Sequence, residues 1–188
     1  MKHPLWTMIT ILFSFSAAHA SLPSSSVYNL EARLTDQSGA VRNLDVYRGR
    51  PVLVTMFYGS CPMTCPLLID TLRAIERAAP PQQRSELRVL MISIDPAHDT
   101  PAALHALAQQ RRIDTLRWTL ASTDEKSVRK IAALLNVQYR ALPTGGYNHS
   151  SVVTLLDPAG EIVAQSSVLG RADEALLEAI RGSRTTSR

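Results

Sequence analysis

The chain has two cysteines, and they share one phrase, Cys61-Pro62-Met63-Thr64-Cys65-Pro66, directly after the apolar run Pro51–Tyr58. A thiolate is the form that binds metal or attacks a disulfide. Far along the chain, His149 stands in Tyr147-Asn148-His149-Ser150-Ser151 at the start of a further apolar run. Two soft sulfurs at i and i+4 with one imidazole make a Cys2His donor set suited to a soft, low-coordinate ion, with Cu(I) the leading candidate. The same thiols could close a disulfide, and a loop this short would add roughly 2 kcal/mol by the chain-entropy account. A chain of 188 residues hardly needs that contribution to hold a core. At this level metal site, redox couple and structural disulfide are all open.

Positioning such groups takes a scaffold, and the hydrophobic pattern supplies one. Val27–Leu34 alternates as a strand and turns at Gln37-Ser38-Gly39 into a partner, Ala40–Leu44. Val52–Tyr58 and Arg88–Ile94 are nearly continuous apolar runs, the mark of strands buried on both faces. Leu67, Leu68, Leu72 and Ile75 recur at helical spacing within a helix over Pro66–Ala79, stopped by Pro80-Pro81. Thr100 as N-cap and Pro101 at the first helical position open a helix to about Arg111. Trp118–Leu120 is a short strand, Thr123-Asp124 caps a helix through Leu135, and Val137–Leu142 is a short edge strand. Val152–Leu156 and Glu161–Gln165 flank the turn Asp157-Pro158-Ala159-Gly160, and Arg171–Ile180 closes the chain as an amphipathic helix. This order predicts a three-layer α/β/α domain with a mixed central sheet and an N-terminal β-hairpin. A cysteine pair between the first buried strand and its helix looks like the thioredoxin fold.

At such a junction the helix N-terminus offers a positive dipole end and free N–H groups, and both favour a thiolate. Redox thioredoxins space the pair as C-x-x-C; here one more residue intervenes, and i and i+4 share one helix face. His149 falls where thioredoxins keep a cis-proline opposite the cysteines, and no proline occurs at positions 150–152. That leaves room for an imidazole beside the sulfurs. Asp95 ends the second buried strand and is expected at the same sheet edge, as an acceptor that orients a ligand or as a turn residue before Pro96. Asp99 is expected to serve the following helix start. His98 and His105 are read as surface residues.

Four stretches in order resemble the Sco/SenC family of thioredoxin-like copper proteins that serve cytochrome c oxidase assembly. They are Phe57–Pro66, matching a strand followed by C-P-x-x-C-P; Ser93–Pro101, matching S-[IV]-D-P-x-x-D-T-P; Tyr147–Ser151, matching a histidine followed by serines; and Leu155–Gly160, matching the final hairpin. The resemblance covers about 27–182. It implies Cys61, Cys65 and His149 as ligands of copper, as Cu(I) and in some states Cu(II). It also implies a copper-site subunit of a respiratory oxidase, such as the CuA subunit, or another copper chaperone as partner. The alternative within the same family is a thiol–disulfide reductase, with Cys61 and Cys65 as the catalytic pair and a thiol reductant protein behind them. Family members often carry Asp where this chain has Met63, and losing that carboxylate is expected to weaken discrimination in favour of Cu(II). A thiol peroxidase is disfavoured, since the pattern P-x-x-x-[ST]-x-x-C is absent around Cys61.

The first twenty residues read as a secretion signal, with Lys2, the apolar stretch Leu5–Ala17 and the cleavage pattern Ala18-His19-Ala20. The expectation is a soluble periplasmic domain over 21–182 with a basic tail over 183–188. An uncleaved segment anchoring the domain in the inner membrane is the alternative, although about 13 apolar residues fall short of the roughly 20 that span a bilayer. The net charge of +4 is mild and the arginines are scattered, so no nucleic-acid footprint appears. The domain is expected to be a monomer.

Overall fold

Val52–Phe57 is the β-branched and aromatic run just before the cysteines, and every one of its side chains is buried. Such a strand must lie inside a sheet covered on both faces, and the rest of the fold is arranged around it. The computed structural model describes residues 21–61 and 64–183. The predicted signal segment, Met63 between the cysteines and the end of the basic tail lie outside the described residues.

The strands in chain order are β1 (Arg33–Asp36), β2 (Val41–Asn43), β3 (Val52–Phe57), β4 (Arg88–Ser93), β5 (Trp118–Ser122), β6 (Tyr139–Ala141), β7 (Tyr147–His149), β8 (Val153–Leu156) and β9 (Ile162–Ser166). The helices are α1 (Thr64–Ala78), α2 (Pro81–Glu86), α3 (Pro101–Gln110), α4 (Glu125–Leu134) and α5 (Glu174–Gly182). Seven strands form one sheet in the order β2-β1-β5-β4-β3-β8-β9, and β6 pairs with β7 as a separate ribbon. β3 runs parallel to β4, and β4 to β5, while the β1–β2 and β8–β9 hairpins are antiparallel. The two parallel crossovers step the same way across the sheet, so right-handed connections put α1 and α3 on one face. The Arg73 guanidinium of α1 accordingly donates to the Arg111 carbonyl at the end of α3. The result is the expected thioredoxin-like α/β/α domain with its mixed sheet and N-terminal hairpin.

Four local expectations need correction. Residues Val27–Asn29 form a 3-10 turn rather than a strand, because Ser26 Oγ accepts from the Tyr28 amide and the Val27 N–H is taken by the Gly160 carbonyl. Pro80-Pro81 does stop α1, but Pro81 then starts α2, since a missing N–H costs nothing at a first helical position. Helix α1 begins at Thr64, so Cys65 already lies in its first turn. The strand read over 137–142 shortens to β6 and gains a partner, β7, that ends on His149. Caps fall as predicted: Thr100 Oγ1 accepts from the Ala103 N–H and Asp124 from the Ser127 N–H.

Candidate functional site

Register puts the chemistry at one edge. β3 and β4 pair in parallel down to Phe57 opposite Ser93, so the loops Tyr58–Cys61 and Ile94–Asp99 leave the sheet together at its carboxyl end. In open α/β sheets, ligands gather beyond the carboxyl ends of the strands.

Both thiols are buried, Cys61 at 8% exposure and Cys65 at 3%, and neither is in a disulfide. They are neighbours at this edge, near enough for Cys61 to act on the ionisation of Cys65. The Cys61 N–H donates to the Tyr58 carbonyl at 3.2 Å, and the Cys65 thiol donates to the same oxygen at 3.0 Å. Burial pushes the Cys65 thiol up to about 12, and the neighbouring Cys61 adds to the shift. Cys65 is therefore a held thiol, in spite of its place at a helix N-terminus.

The loop that carries Cys61 is clamped from the side by Asp99. Its two carboxylate oxygens accept from the Gly59 N–H at 3.1 and 2.9 Å, and the Ser93 hydroxyl donates to the same group. A side chain at 59 would put Cβ 2.5 Å from Asp99 Oδ1, so the close approach needs glycine. Burial raises the Asp99 carboxyl above the ordinary carboxylate range, against the lowering effect of those donors. Sequence reading gave Asp99 to the helix start. Thr100 does that work, and Asp99 instead ties the start of α3 to the cysteine loop.

Asp95 is buried at the same edge, as expected, but its partner is His98, whose Nδ1 lies 2.9 Å from both carboxylate oxygens. Asp95 and Tyr147 line one cavity at this edge. Asp95 thus stands beside the β7 strand, with His98 and not His149 as its hydrogen-bond partner. Both His98 and His105 are exposed.

His149 closes the third side. Its Nδ1 lies 3.2 Å from the Ser150 carbonyl, an oxygen that can only accept, so Nδ1 carries the proton. That leaves Nε2 as a bare lone pair, and Nε2 is buried with no hydrogen-bond partner. Burial lowers the imidazole below its ordinary value, which keeps it neutral near pH 7. A ring nitrogen fixed by a backbone carbonyl with its other lone pair free is the state in which histidine ligates metal. The imidazole meets the cysteine loop through Tyr58, whose ring centroid is 5.7 Å away in an edge-on contact. Among the described residues no three His, Cys, Asp or Glu side chains stand close enough together to share one ion. The imidazole stands one aromatic ring away from the cysteine loop. Sequence reading missed Tyr58 and Asp99, because each acts through contacts with residues remote from it in the chain.

This chain is similar to several known proteins. It is 25% identical to an SCO2-like protein of Rickettsia conorii over 134 residues, covering 68% of this chain and 63% of that one, so it spans under two thirds of that relative's length. ScoI of Bradyrhizobium japonicum, solved with copper bound, superposes with a TM-score of 0.65 at 23% identity, covering 81% of this chain and 97% of that chain. BsSco, described as a member of the Sco family of cytochrome c oxidase assembly proteins, gives 0.68 at 15% identity, covering 89% and 100%. At these identities the solved structures speak to the fold. The family model described as SCO1/SenC matches residues 24–183, which takes in every strand from β1 to β9, all five helices and the three donors. The chain belongs to the SCO1/SenC family.

Proposed function

We propose that this protein is a copper carrier outside the cytoplasm, which holds Cu(I) through Cys61, Cys65 and His149 and passes it on during assembly of a copper site, that of CuA in cytochrome c oxidase. The observation that carries the reading is the buried, unpartnered Nε2 of His149 at the sheet edge that also gathers two thiols. A buried polar atom without a partner is costly, and a soft cation is the partner this donor set fits. Binding would release the thiol protons, including the one Cys65 now donates to the Tyr58 carbonyl. Three donors leave such an ion open to a further ligand, which lets a thiol or imidazole of the acceptor enter before release. We place the domain at 21–182, after a secretion signal over 1–20, in the periplasm. Among the described residues no helix is long and apolar enough to cross a membrane.

The nearness of two buried, reduced thiols favours one second reading, a reductase that keeps an acceptor's cysteines reduced, re-reduced in turn by a thiol protein. The buried, protonated Cys65 makes it the slower chemistry. Mixing copper-loaded protein with a reduced, copper-free CuA domain and assaying metal in each after separation tests the proposal. Copper should move to the CuA domain. Retention of the metal, together with rapid turnover of a model disulfide without copper, would replace the carrier with the reductase.

A further inference from the structure

Tyr58 stands beside all three candidate donors and meets each with a different group. Its carbonyl accepts from the Cys65 thiol and the Cys61 N–H. Its hydroxyl lies near enough to the Cys61 side chain to feel it electrostatically. Its ring takes the edge-on contact with His149, at 76° between planes, and a second one with Tyr147 at 5.6 Å between centroids. Gly146 completes the fit: a Cβ there would stand 3.3 Å from the Tyr58 hydroxyl, and its φ of +76° is one that side-chain-bearing residues rarely adopt. All these ribbon residues lie on β7 or at its start. The β6–β7 ribbon pairs with itself and not with the main sheet. Tyr58 is therefore a seat on which the His149 arm rests, and the same residue fixes both cysteines.

We infer that Tyr58 is the positioning residue of the site, setting where the His149 imidazole stands relative to the thiol pair. The inference rests on the three-donor reading above. Ring and hydroxyl stand beside different donors, so substitutions separate them: Tyr58→Phe keeps the seat for His149 and removes the hydroxyl beside Cys61, while Tyr58→Leu removes both. Edge-on aromatic pairs contribute beyond the area they bury, and that contribution is lost when the ring goes.

The test is a cycle of Cu(I) affinities, measured on reduced protein by competition with a chromophoric chelator. Tyr58→Leu should weaken binding by about threefold to tenfold, and in that background His149→Ala should cost much less than it costs the wild type. Tyr58→Phe keeps the ring, so His149→Ala should cost nearly as much there as in the wild type, while loss of the hydroxyl should shift the sulfur-to-Cu(II) charge-transfer band, which a merely structural role would leave in place. An equal cost of His149→Ala in both backgrounds overturns the inference and leaves the three-donor reading standing. No cost of His149→Ala in the wild type overturns that reading and the inference with it. Should Tyr58→Leu fail to fold, proton NMR of the metal-free wild type and Tyr58→Phe decides. Nuclear Overhauser contacts between ring 58 and the His149 imidazole are expected in both, and their absence contradicts the seat.

Discussion

Replacing Asp99 should unfasten the cysteine loop at a cost that can be worked from its contacts. The carboxylate satisfies two donors, the Gly59 N–H and the hydroxyl of fully buried Ser93. Hydrogen bonds to a charged group contribute roughly 1.5–3 kcal/mol each, and a buried donor left alone costs a further 1–3 kcal/mol. Against this stands the relief of a carboxylate that burial already penalises. The balance for Asp99→Ala is about 2–4 kcal/mol of unfolding free energy, or roughly 5–15 °C in Tm for a domain of this size. Asp99→Asn keeps an acceptor for Gly59 and should recover about half of that. The pH dependence carries a sign of its own. The folded-state pKa of Asp99 is raised, so its ionisation penalty is fully present above that value and relieved as pH falls through it towards the unfolded value of 3.8. Wild-type stability should therefore rise relative to Asp99→Asn on acidification through that window. Urea unfolding of the reduced proteins from pH 7 to pH 4 gives both quantities. An Asp99→Ala variant within 0.5 kcal/mol of wild type, or a difference between wild type and Asp99→Asn that falls on acidification, would refute the clamp.

Two further outcomes follow from buried groups. Because burial pushes the Cys65 thiol up to about 12, its alkylation at pH 8 should run about a thousandfold slower than that of a free thiol near 8.5. The rate should climb tenfold per pH unit up to about pH 11, read site by site by mass spectrometry, and a plateau near pH 9 would contradict the held thiol. On α1, Glu76 is buried, accepts from the Trp118 indole at 2.9 Å and pairs with Arg117 at 3.3 Å. Glu76→Ala should cost about 3 kcal/mol, since it strands the indole N–H and part of the Arg117 charge. A shift in Trp118 emission should accompany the loss, and unchanged stability would mean the pair is dispensable.

The parts of this protein legible in its sequence are those governed by local rules. Val52–Tyr58 and Arg88–Ile94 read as buried strands because continuous β-branched runs have few other fates. The caps at Thr100 and Asp124 read correctly because a cap is settled within four residues. Asp95 could be placed at the sheet edge because parallel strands end together. What stayed hidden depends on distant partners. Val27 looks like a strand residue until the Gly160 carbonyl, far along the chain, claims its N–H. Asp99 looks like a helix-start residue until Gly59 is seen forty residues back. Tyr58 reads as the end of an apolar run, and no pattern in the sequence announces that its carbonyl, hydroxyl and ring each meet a different donor. The β7 strand escaped notice because Tyr147-Asn148-His149 has no alternation to show; its pairing with Tyr139–Ala141 makes it a strand.

The most direct measurement is Cu(I) competition titration of the reduced protein against a calibrated chelator, with wild type beside Cys61→Ser, Cys65→Ser and His149→Ala. The account predicts one Cu(I) per chain in the wild type. Either serine variant should lose tight binding, and His149→Ala should weaken it at least tenfold without lowering Tm. Equal affinity of wild type and His149→Ala would contradict the three-donor site, and undiminished binding by both serine variants would contradict the assignment of the thiols altogether.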